Sequence, residues 1–252
     1  MTQTKSILAI ETSTAACSVA LLYQGNTYER YEVLPQKHAH RLLEMVDEVM
    51  TEAQADDQAL DLLAFGEGPG AFTGVRISAG VIQGLALGWD KPVVGISSLE
   101  AMAELAVQKA VASQDMGGLG LAQEKLSWCT LMDARMNEVY FLSGIYSPKS
   151  GAWQLSETEL LSPELAEERI KGLGVTIGFG DIQKEYPPLL KLFDHWIEVL
   201  PAALSIAKIA ERSLEQAEKQ AYKLEKQVAL PVYLRNHVAD TIEERKLKQS
   251  SS

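Results

Sequence analysis

Three strand-like segments open the chain with no helical pattern between them, and this order restricts the fold more than any other feature. Residues 6–10 form an apolar run, and residues 17–23 and 27–33 follow it after short polar turns. Apolar runs separated by small, polar or glycine-containing turns are typical of antiparallel strands. The sequence therefore predicts a three-stranded meander at the start of a sheet.

Helical and strand-like patterns alternate after this meander. Residues 40–52 and 75–87 have helical periodicity, and a third helix is predicted with Ser97 or Ser98 as its cap. Antiparallel strands followed by such an alternation produce a mixed sheet with helices packed on it. This order is the half-unit of the actin, hexokinase and Hsp70 class. We therefore predict an α/β, actin-like (ribonuclease H-like) fold of two lobes, each with a mixed sheet flanked by helices.

The chain is long enough for two lobes, each with its own core. We predict an N-terminal lobe of residues 1–108 and a C-terminal lobe of residues 109–252, with a linker or mobile loop at the glycine-rich residues 114–123. The C-terminal lobe is predicted to hold strands, one long late helix and a disordered tail: strands at residues 126–132, 138–146 and 153–155, the helix at 202–226 and the tail at 246–252.

Charge and cysteine usage limit the kinds of partner and compartment. The chain has 23 Lys and Arg residues against 34 Asp and Glu residues, a formal net charge of −11. Such a chain repels nucleic acid and anionic membranes, so another protein should make most contacts to any RNA. Two lone cysteines, no apolar run of about 18 residues and no secretory leader predict a cytoplasmic protein without a membrane span.

Two neighbouring segments could bind an anion. The turn after the first strand holds Glu11, Thr12 and Ser13, and backbone amides with small hydroxyls suit phosphate. Actin-like ATPases usually place Asp where Glu11 stands here. The glycine-rich loop with Gly68 and Gly70 follows a strand and opens a helix, whose N-terminal amides attract anions. A plain polar turn and a tight packing loop explain the same residues equally well.

Other catalytic and metal-binding patterns are not evident in the sequence. His38 and His40 are two residues apart, whereas a helical zinc pair prefers a spacing of four. No Ser-His-Asp or Cys-His arrangement stands out. The residue patterns therefore give no candidate for a catalytic residue, a metal site or a resident cofactor, and whether ATP or ADP binds at an interface stays open.

Two consecutive helices carry more apolar residues than one sheet face needs. Val46, Val49 and Met50 lie on the first helix, and Val75 with several small residues lies on the second. Core packing explains this excess, and so does an exposed apolar face that forms a protein interface.

Several segments taken together resemble the bacterial TsaB family over most of the chain, most strongly over residues 7–105. The most specific segment is Gly-Pro-Gly-Ala-Phe-Thr-Gly-Val-Arg at residues 68–76. The other matching segments are residues 10–13, 17–20, 40–43, 95–100 and 231–235. The catalytic relative of this family, TsaD, has the same fold and a metal-binding H-x-x-x-H motif. Ser98 and Met102 occupy the two histidine positions here, and neither replaces histidine for a hard or borderline divalent metal.

The resemblance implies a non-catalytic scaffold or activator in the bacterial complex that makes N6-threonylcarbamoyladenosine in tRNA. The implied partners are a TsaD-like catalytic subunit, a TsaE-like ATPase and a second copy of the chain, with tRNA reached only through the complex. Because the partners share a fold, homodimer and heterodimer can use one surface. The implied interface falls on the helices after the hairpins, at His40, Leu43, Val46, Met50, Thr73, Val75, Arg76, Ala79 and Ile82.

Three other functions remain open from the sequence. An ATP-dependent small-molecule enzyme of the actin-like class would need a carboxylate beside the γ-phosphate, for which Glu11 is the hairpin candidate. A metallopeptidase is a second alternative, because relatives of TsaD have carried that label, although the missing histidine pair opposes it. A structural dimer without an enzyme partner is the third.

Overall fold

A computed structural model describes residues 5–33, 38–112, 124–219 and 228–235. The predicted linker at 114–123, the end of the predicted late helix at 220–226 and the predicted tail at 246–252 lie outside these residues. Within the described part of the chain, no helix is both long and apolar enough to cross a membrane. Cys17 and Cys129 are buried free thiols.

The first sheet contains the predicted meander. Its five strands lie in the order β3-β2-β1-β4-β5, and β2 is the strand that runs antiparallel to its neighbours. Burial follows position: β1 and β2 are almost fully buried, whereas edge strand β3 alternates exposed and half-buried residues as a sheet edge facing solvent does. The strands are β1 (Ile7–Glu11), β2 (Ala16–Tyr23), β3 (Asn26–Val33), β4 (Leu62–Gly68) and β5 (Val93–Ser97).

The second sheet repeats the topology of the first. Its main path is β11-β10-β6-β7-β8, and β9 pairs with β7. If β6, β7, β8, β10 and β11 are numbered 1 to 5, the path read from β8 has the same 3-2-1-4-5 order as the first sheet. Strand β7, the second in this numbering, again runs antiparallel to both of its neighbours. The two-lobe mixed α/β fold is confirmed. The strands are β6 (Leu126–Arg135), β7 (Glu138–Ser147), β8 (Ala152–Leu155), β9 (Glu159–Leu161), β10 (Ile177–Gly180) and β11 (His195–Glu198).

Local signals explain where several helices begin and end. Ser162 caps α4 by accepting a hydrogen bond from the Leu165 amide, and Pro163 occupies the first helical position. Gly174 ends the same helix in the left-handed conformation. The helices are α1 (His38–Ala53), α2 (Phe72–Trp89), α3 (Ser98–Ala112), α4 (Pro163–Leu173), α5 (Pro187–Leu190) and α6 (Ala203–Lys219), with a 3-10 turn at Asp57–Ala59.

Helices α3 and α6 do not follow the predicted division into residues 1–108 and 109–252. The late helix α6 was assigned to the C-terminal lobe, but Ala203, Ile206 and Ala207 pack against the first sheet. Conversely, Met102 of α3 belongs to the core of the second sheet together with Trp128. Each lobe thus receives a helix from the other half of the sequence, because the apolar faces of these helices complete the cores of the opposite lobes.

The apolar excess on α1 and α2 is mostly core packing. Val46, Ala79 and Ile82 belong to the core cluster on one face of the first sheet, and Val75 is only 2% exposed. These four side chains therefore do not belong to an exposed interface, which corrects the sequence prediction. Met50 is half-buried against the same core. The remaining predicted interface residues are exposed: His40, Leu43, Thr73 and Arg76.

Candidate functional site

A cleft of about 910 Å³ separates the two lobes. The turn after β1 and the beginning of α2 line its N-terminal wall, and the β6–β7 hairpin lines the opposite wall. Residues 232–235 lie along the same cleft. The predicted anion-binding segments therefore do lie at an interlobe cleft, where side chains from both halves meet.

The glycine-rich loop packs directly on the first hairpin. The Ala71 amide donates to the Ser13 carbonyl oxygen at 2.7 Å, and the Thr12 hydroxyl donates to the Gly74 carbonyl oxygen at 2.8 Å. A Cβ atom at Gly74 would lie 2.0 Å from the Thr12 carbonyl oxygen, so this position requires glycine. Gly70 and Gly74 thus allow the loop to pack closely on the hairpin. Close packing was one of the two explanations that the sequence left open.

Glu11 directs its carboxylate into the interior of the protein. The residue is fully buried, and its carboxylate accepts bonds from the Ser13 amide and, at 2.9 Å, from the Ser98 hydroxyl. Gly66 leaves the space for this carboxylate. Burial raises the pKa of Glu11, while these hydrogen bonds lower it in part. The Ser13 amide that was predicted to bind phosphate is therefore already bonded within the chain.

The other predicted anion-binding residues divide into two places. Thr12 and Gly70 lie with Ser13 at the contact between loop and hairpin. Gly68 instead faces the main chain of Val232 in the C-terminal segment. The structure thus brings Glu11, Thr12, Ser13 and Gly70 together, but it places Gly68 beside a different part of the chain.

Ser98 and Met102, which the sequence resemblance pairs with the two histidines of TsaD, are fully buried. The Ser98 hydroxyl bonds to Glu11, as described above, and the Met102 side chain lies in the apolar core. In the described ranges, no group of three or more His, Cys, Asp or Glu side chains is arranged to hold a metal ion.

The opposite wall of the cleft carries two carboxylates that sequence reasoning missed. The Asp133 amide donates to the Asp181 side chain at 3.0 Å, and Asp133 pairs with Arg135 at 3.0 Å. Burial raises the pKa of Asp181 to about 6. The signal that could have located these carboxylates is that both halves of the chain begin with antiparallel strands. In the two sheets, the end of β6 corresponds to the end of β1, where Glu11 lies.

The described C-terminal residues 228–235, here called the strap, connect both lobes. The Val232 amide donates to the Glu67 carbonyl oxygen at 2.7 Å, and the Ala229 amide donates to the Gln83 side chain at 2.7 Å. At the other end, the Arg235 guanidinium binds Glu138 and two carbonyl oxygens of the β6–β7 hairpin. The strap therefore joins the N-terminal lobe to the wall of the cleft that the C-terminal lobe provides.

A stripe along α2, here called the α2 face, faces solvent. It consists of Arg76, Gly80, Gly84 and Gly88, which are exposed and four residues apart. A Cβ atom at any of these three glycines would meet no atom within 4 Å. Glycine inside a helix destabilises it by about 0.5–1 kcal/mol relative to alanine. Three exposed glycines on one stripe therefore lower the stability of α2 in the isolated chain.

Half-buried Glu100 on α3 gives a pH-dependent prediction. Burial raises the pKa of its carboxyl group to about 7 from 4.5; Arg212 opposes this shift, and Glu104 and Glu67 add to it. The folded protein therefore holds this proton more tightly than the unfolded chain. The resulting stability is fully present below pH 4.5 and is lost as the pH rises through about 7.

Glu100→Gln should accordingly stabilise the protein by about 1–2 kcal/mol at pH 8, a value reduced for partial solvent screening, and by clearly less at pH 5. Urea denaturation at both pH values measures this difference. Glu168→Gln, at an exposed position on α4, controls for the general effect of removing one negative charge. An equal gain at the two pH values would contradict the assignment to Glu100.

Comparison with known proteins identifies the relatives of the chain. The family model described as "TsaD: tRNA N6-adenosine threonylcarbamoyltransferase" matches residues 31–152. The chain is 38% identical over 242 residues to the tRNA threonylcarbamoyladenosine biosynthesis protein TsaB of Escherichia coli K12, covering 92% of this chain and 96% of that protein. It is 35% identical over 248 residues to TsaB of Haemophilus influenzae, covering 94% and 96%.

A solved structure agrees with these sequence matches. The Pseudomonas aeruginosa protein described as uncharacterized with similarity to peptidase YEAZ has a TM-score of 0.71 and 35% identity. That match covers 92% of this chain and the whole of the other. Each TsaB match covers more than nine tenths of this chain and of the relative. The chain therefore belongs to the TsaB family of tRNA threonylcarbamoyladenosine biosynthesis proteins.

Proposed function

We propose that this chain acts in tRNA threonylcarbamoyladenosine biosynthesis as a non-catalytic partner that docks on a TsaD-like catalytic subunit and activates it. A TsaE-like ATPase joins the pair, and tRNA is reached through the complex. The TsaB relatives support the pathway, and the match to the TsaD family model over residues 31–152 supports a partner of shared fold. The proposal assigns no metal and no cofactor to this chain.

The environment of Ser98 and Met102 carries the non-catalytic part of the proposal. The sequence resemblance pairs these two positions with the metal-binding histidines of the catalytic relative, TsaD. Here the Ser98 hydroxyl donates to Glu11, and Met102 is 0% exposed in an apolar core. A buried thioether and an already bonded hydroxyl are poor ligands for a hard or borderline divalent metal. This environment supports a chain that depends on another subunit for chemistry.

The α2 face supports the docking part of the proposal. Three exposed glycines allow the backbone of another protein to approach closely, in the same way that small residues allow close packing between helices. Leu43 on α1 is 52% exposed, and Phe72 at the beginning of α2 is 45% exposed, so apolar side chains are available there. Because the partners share a fold, a homodimer can use the same face when the catalytic subunit is absent.

Reconstitution tests the proposal directly. Threonylcarbamoyl transfer to tRNA would be measured with TsaD-like and TsaE-like proteins, with and without this chain, and with this chain alone. We expect no transfer by the chain alone and a rise of at least about tenfold when it joins the mixture, the size of a typical coupling between subunits. Transfer that is equally fast without the chain would refute the activator role, and ATP turnover by the isolated chain would then be examined.

A further inference from the structure

Arg76 lies between two aromatic rings on the α2 face. Its guanidinium carbon is 3.4 Å from the centre of the Phe72 ring and 5.5 Å from the centre of the Tyr233 ring. Its Nε atom donates to the Tyr233 hydroxyl at 2.8 Å. Phe72 belongs to the same helix, whereas Tyr233 comes from the strap. These three side chains, here called the arginine stack, hold the guanidinium in one orientation.

Arg76 differs from the other described arginines in its partners. Among the described residues, each of the others forms an ion pair with a carboxylate, and Arg76 forms none. This contrast occurs in a chain with a net charge of −11, where carboxylates are abundant. Phe72 and Tyr233 remain 45% and 46% exposed, so the stack is accessible. The two terminal nitrogens of Arg76 thus have no carboxylate partner among the described residues and can bind a second molecule.

We infer that Arg76 is the anchor of the α2 face and that it binds a carboxylate of the catalytic subunit. This inference rests on the proposed function. A planar guanidinium presents parallel N–H groups that match a carboxylate with two hydrogen bonds, which the ammonium group of lysine does not reproduce. The rings restrict the side chain before binding, so less conformational entropy is lost when the complex forms.

The position of Arg76 supports a protein partner. Arg76 begins the stripe that continues through Gly80, Gly84 and Gly88, so a subunit lying against these glycines would also meet the guanidinium. Tyrosine and arginine, together with tryptophan, are enriched among the residues that contribute most of the binding energy of interfaces. The Val232–Glu67 bond holds Tyr233 beside α2, which makes the strap part of the docking surface.

A carboxylate suits this position better than the phosphates of tRNA. A nucleic acid backbone is bound by several cations that act together, and the affinity depends on their number. Arg135 and Arg235, the arginines that line the cleft, are engaged with Asp133 and Glu138. One oriented guanidinium on an acidic chain matches one carboxylate on a folded protein.

Titration calorimetry with the purified TsaD-like subunit tests the inference. Truncating one partner of an interfacial charge pair typically costs enough to weaken binding about 30-fold or more, so Arg76→Gln should raise Kd by at least that factor. Arg76→Lys should also weaken binding, because it keeps the charge and loses the planar fork. Raising the salt concentration should weaken the wild-type complex more than the Arg76→Gln complex.

The matched control is Arg169→Gln, which removes an arginine of the same kind from α4, where it pairs with Glu159. This variant should bind like the wild type, and the thermal midpoints of all variants should agree because both positions are exposed. Restoration of Arg76→Glu binding by a carboxylate-to-arginine change on the catalytic subunit would identify the partner group.

Two results would overturn the inference. Equal Kd values for Arg76→Gln and Arg169→Gln, with tight wild-type binding, would refute the anchor and leave the proposed function standing. If Arg76→Gln weakens binding of tRNA to the complex but leaves the affinity for the catalytic subunit unchanged, Arg76 contacts RNA instead. Absence of wild-type binding is a different result, because it would refute the proposed function itself.

Discussion

Replacing Gly74 by alanine should destabilise the protein by about 3 kcal/mol or more, because the added methyl group has no space. Its Cβ would lie 2.0 Å from the carbonyl oxygen of Thr12, and this neighbour is backbone that cannot rotate away. The Thr12 hydroxyl also donates to the Gly74 carbonyl oxygen, so the substitution would separate two bonded segments. Chemical denaturation followed by circular dichroism measures the loss.

Gly80→Ala is the matched control for this experiment. It is the same substitution on the same helix, but a Cβ at Gly80 meets no atom within 4 Å. Alanine should therefore stabilise α2 by about 0.5–1 kcal/mol through helix propensity. Opposite signs at the two positions would show that the loop and the hairpin pack as described. A small or absent loss for Gly74→Ala would show that the two segments can separate without cost.

Local patterns in the sequence were sufficient for most strands and helices of the first lobe. The meander was recognisable because its turns are short and its strands are strongly apolar. The start of α4 was recognisable because Ser162 and Pro163 are local signals. The short strands β9 and β11 were missed, whereas the equally short β8 was predicted at residues 153–155, because periodicity does not reliably separate segments of three or four residues from loops.

These local patterns do not predict how segments that are distant in sequence pack against each other. Periodicity shows that one face of α6 is apolar, but it does not show which sheet covers that face, and the covering sheet proved to be the first one. The same ambiguity applies to Val46 and Val75, since a buried valine and an interface valine produce one pattern. Only the structure shows that the core of the first lobe buries them.

The sequence predicted where the candidate site lies, but it did not predict the hydrogen bonds that its side chains form. Glu11, Thr12, Ser13 and Gly70 do converge, because a hairpin turn and a loop at the start of a helix meet at one end of the sheet. The inward direction of the Glu11 carboxylate depends on Ser98, a residue 87 positions away. Asp133 and Asp181 are likewise brought together by strand pairing between β6 and β10.

Replacing Gly84 by glutamine should strongly weaken association with the TsaD-like subunit while leaving the fold of this chain intact. A Cβ atom added at position 84 would meet no atom within 4 Å in the isolated chain, so folding is not hindered, and glutamine favours a helix over glycine. At a close contact between subunits, the same side chain would keep the two backbones apart. We expect Kd to rise at least about a hundredfold, which corresponds to about 2.7 kcal/mol, within the range measured for overpacking. Analytical ultracentrifugation and calorimetry measure this loss.

The structure also explains why this test is sharper than placing a charge at an apolar helix position. Aspartate at Val46 or Val75 would enter a core in which these residues are 4% and 2% exposed, and lost binding would then reflect lost folding. Gly172→Gln avoids that ambiguity as a control, since Gly172 is an exposed helical glycine on α4 with equally open space around it. Both glutamine variants should have thermal midpoints at or above that of the wild type. If Gly84→Gln binds as tightly as Gly172→Gln, the catalytic subunit does not lie against the α2 face, and the docking surface must be sought elsewhere on the molecule.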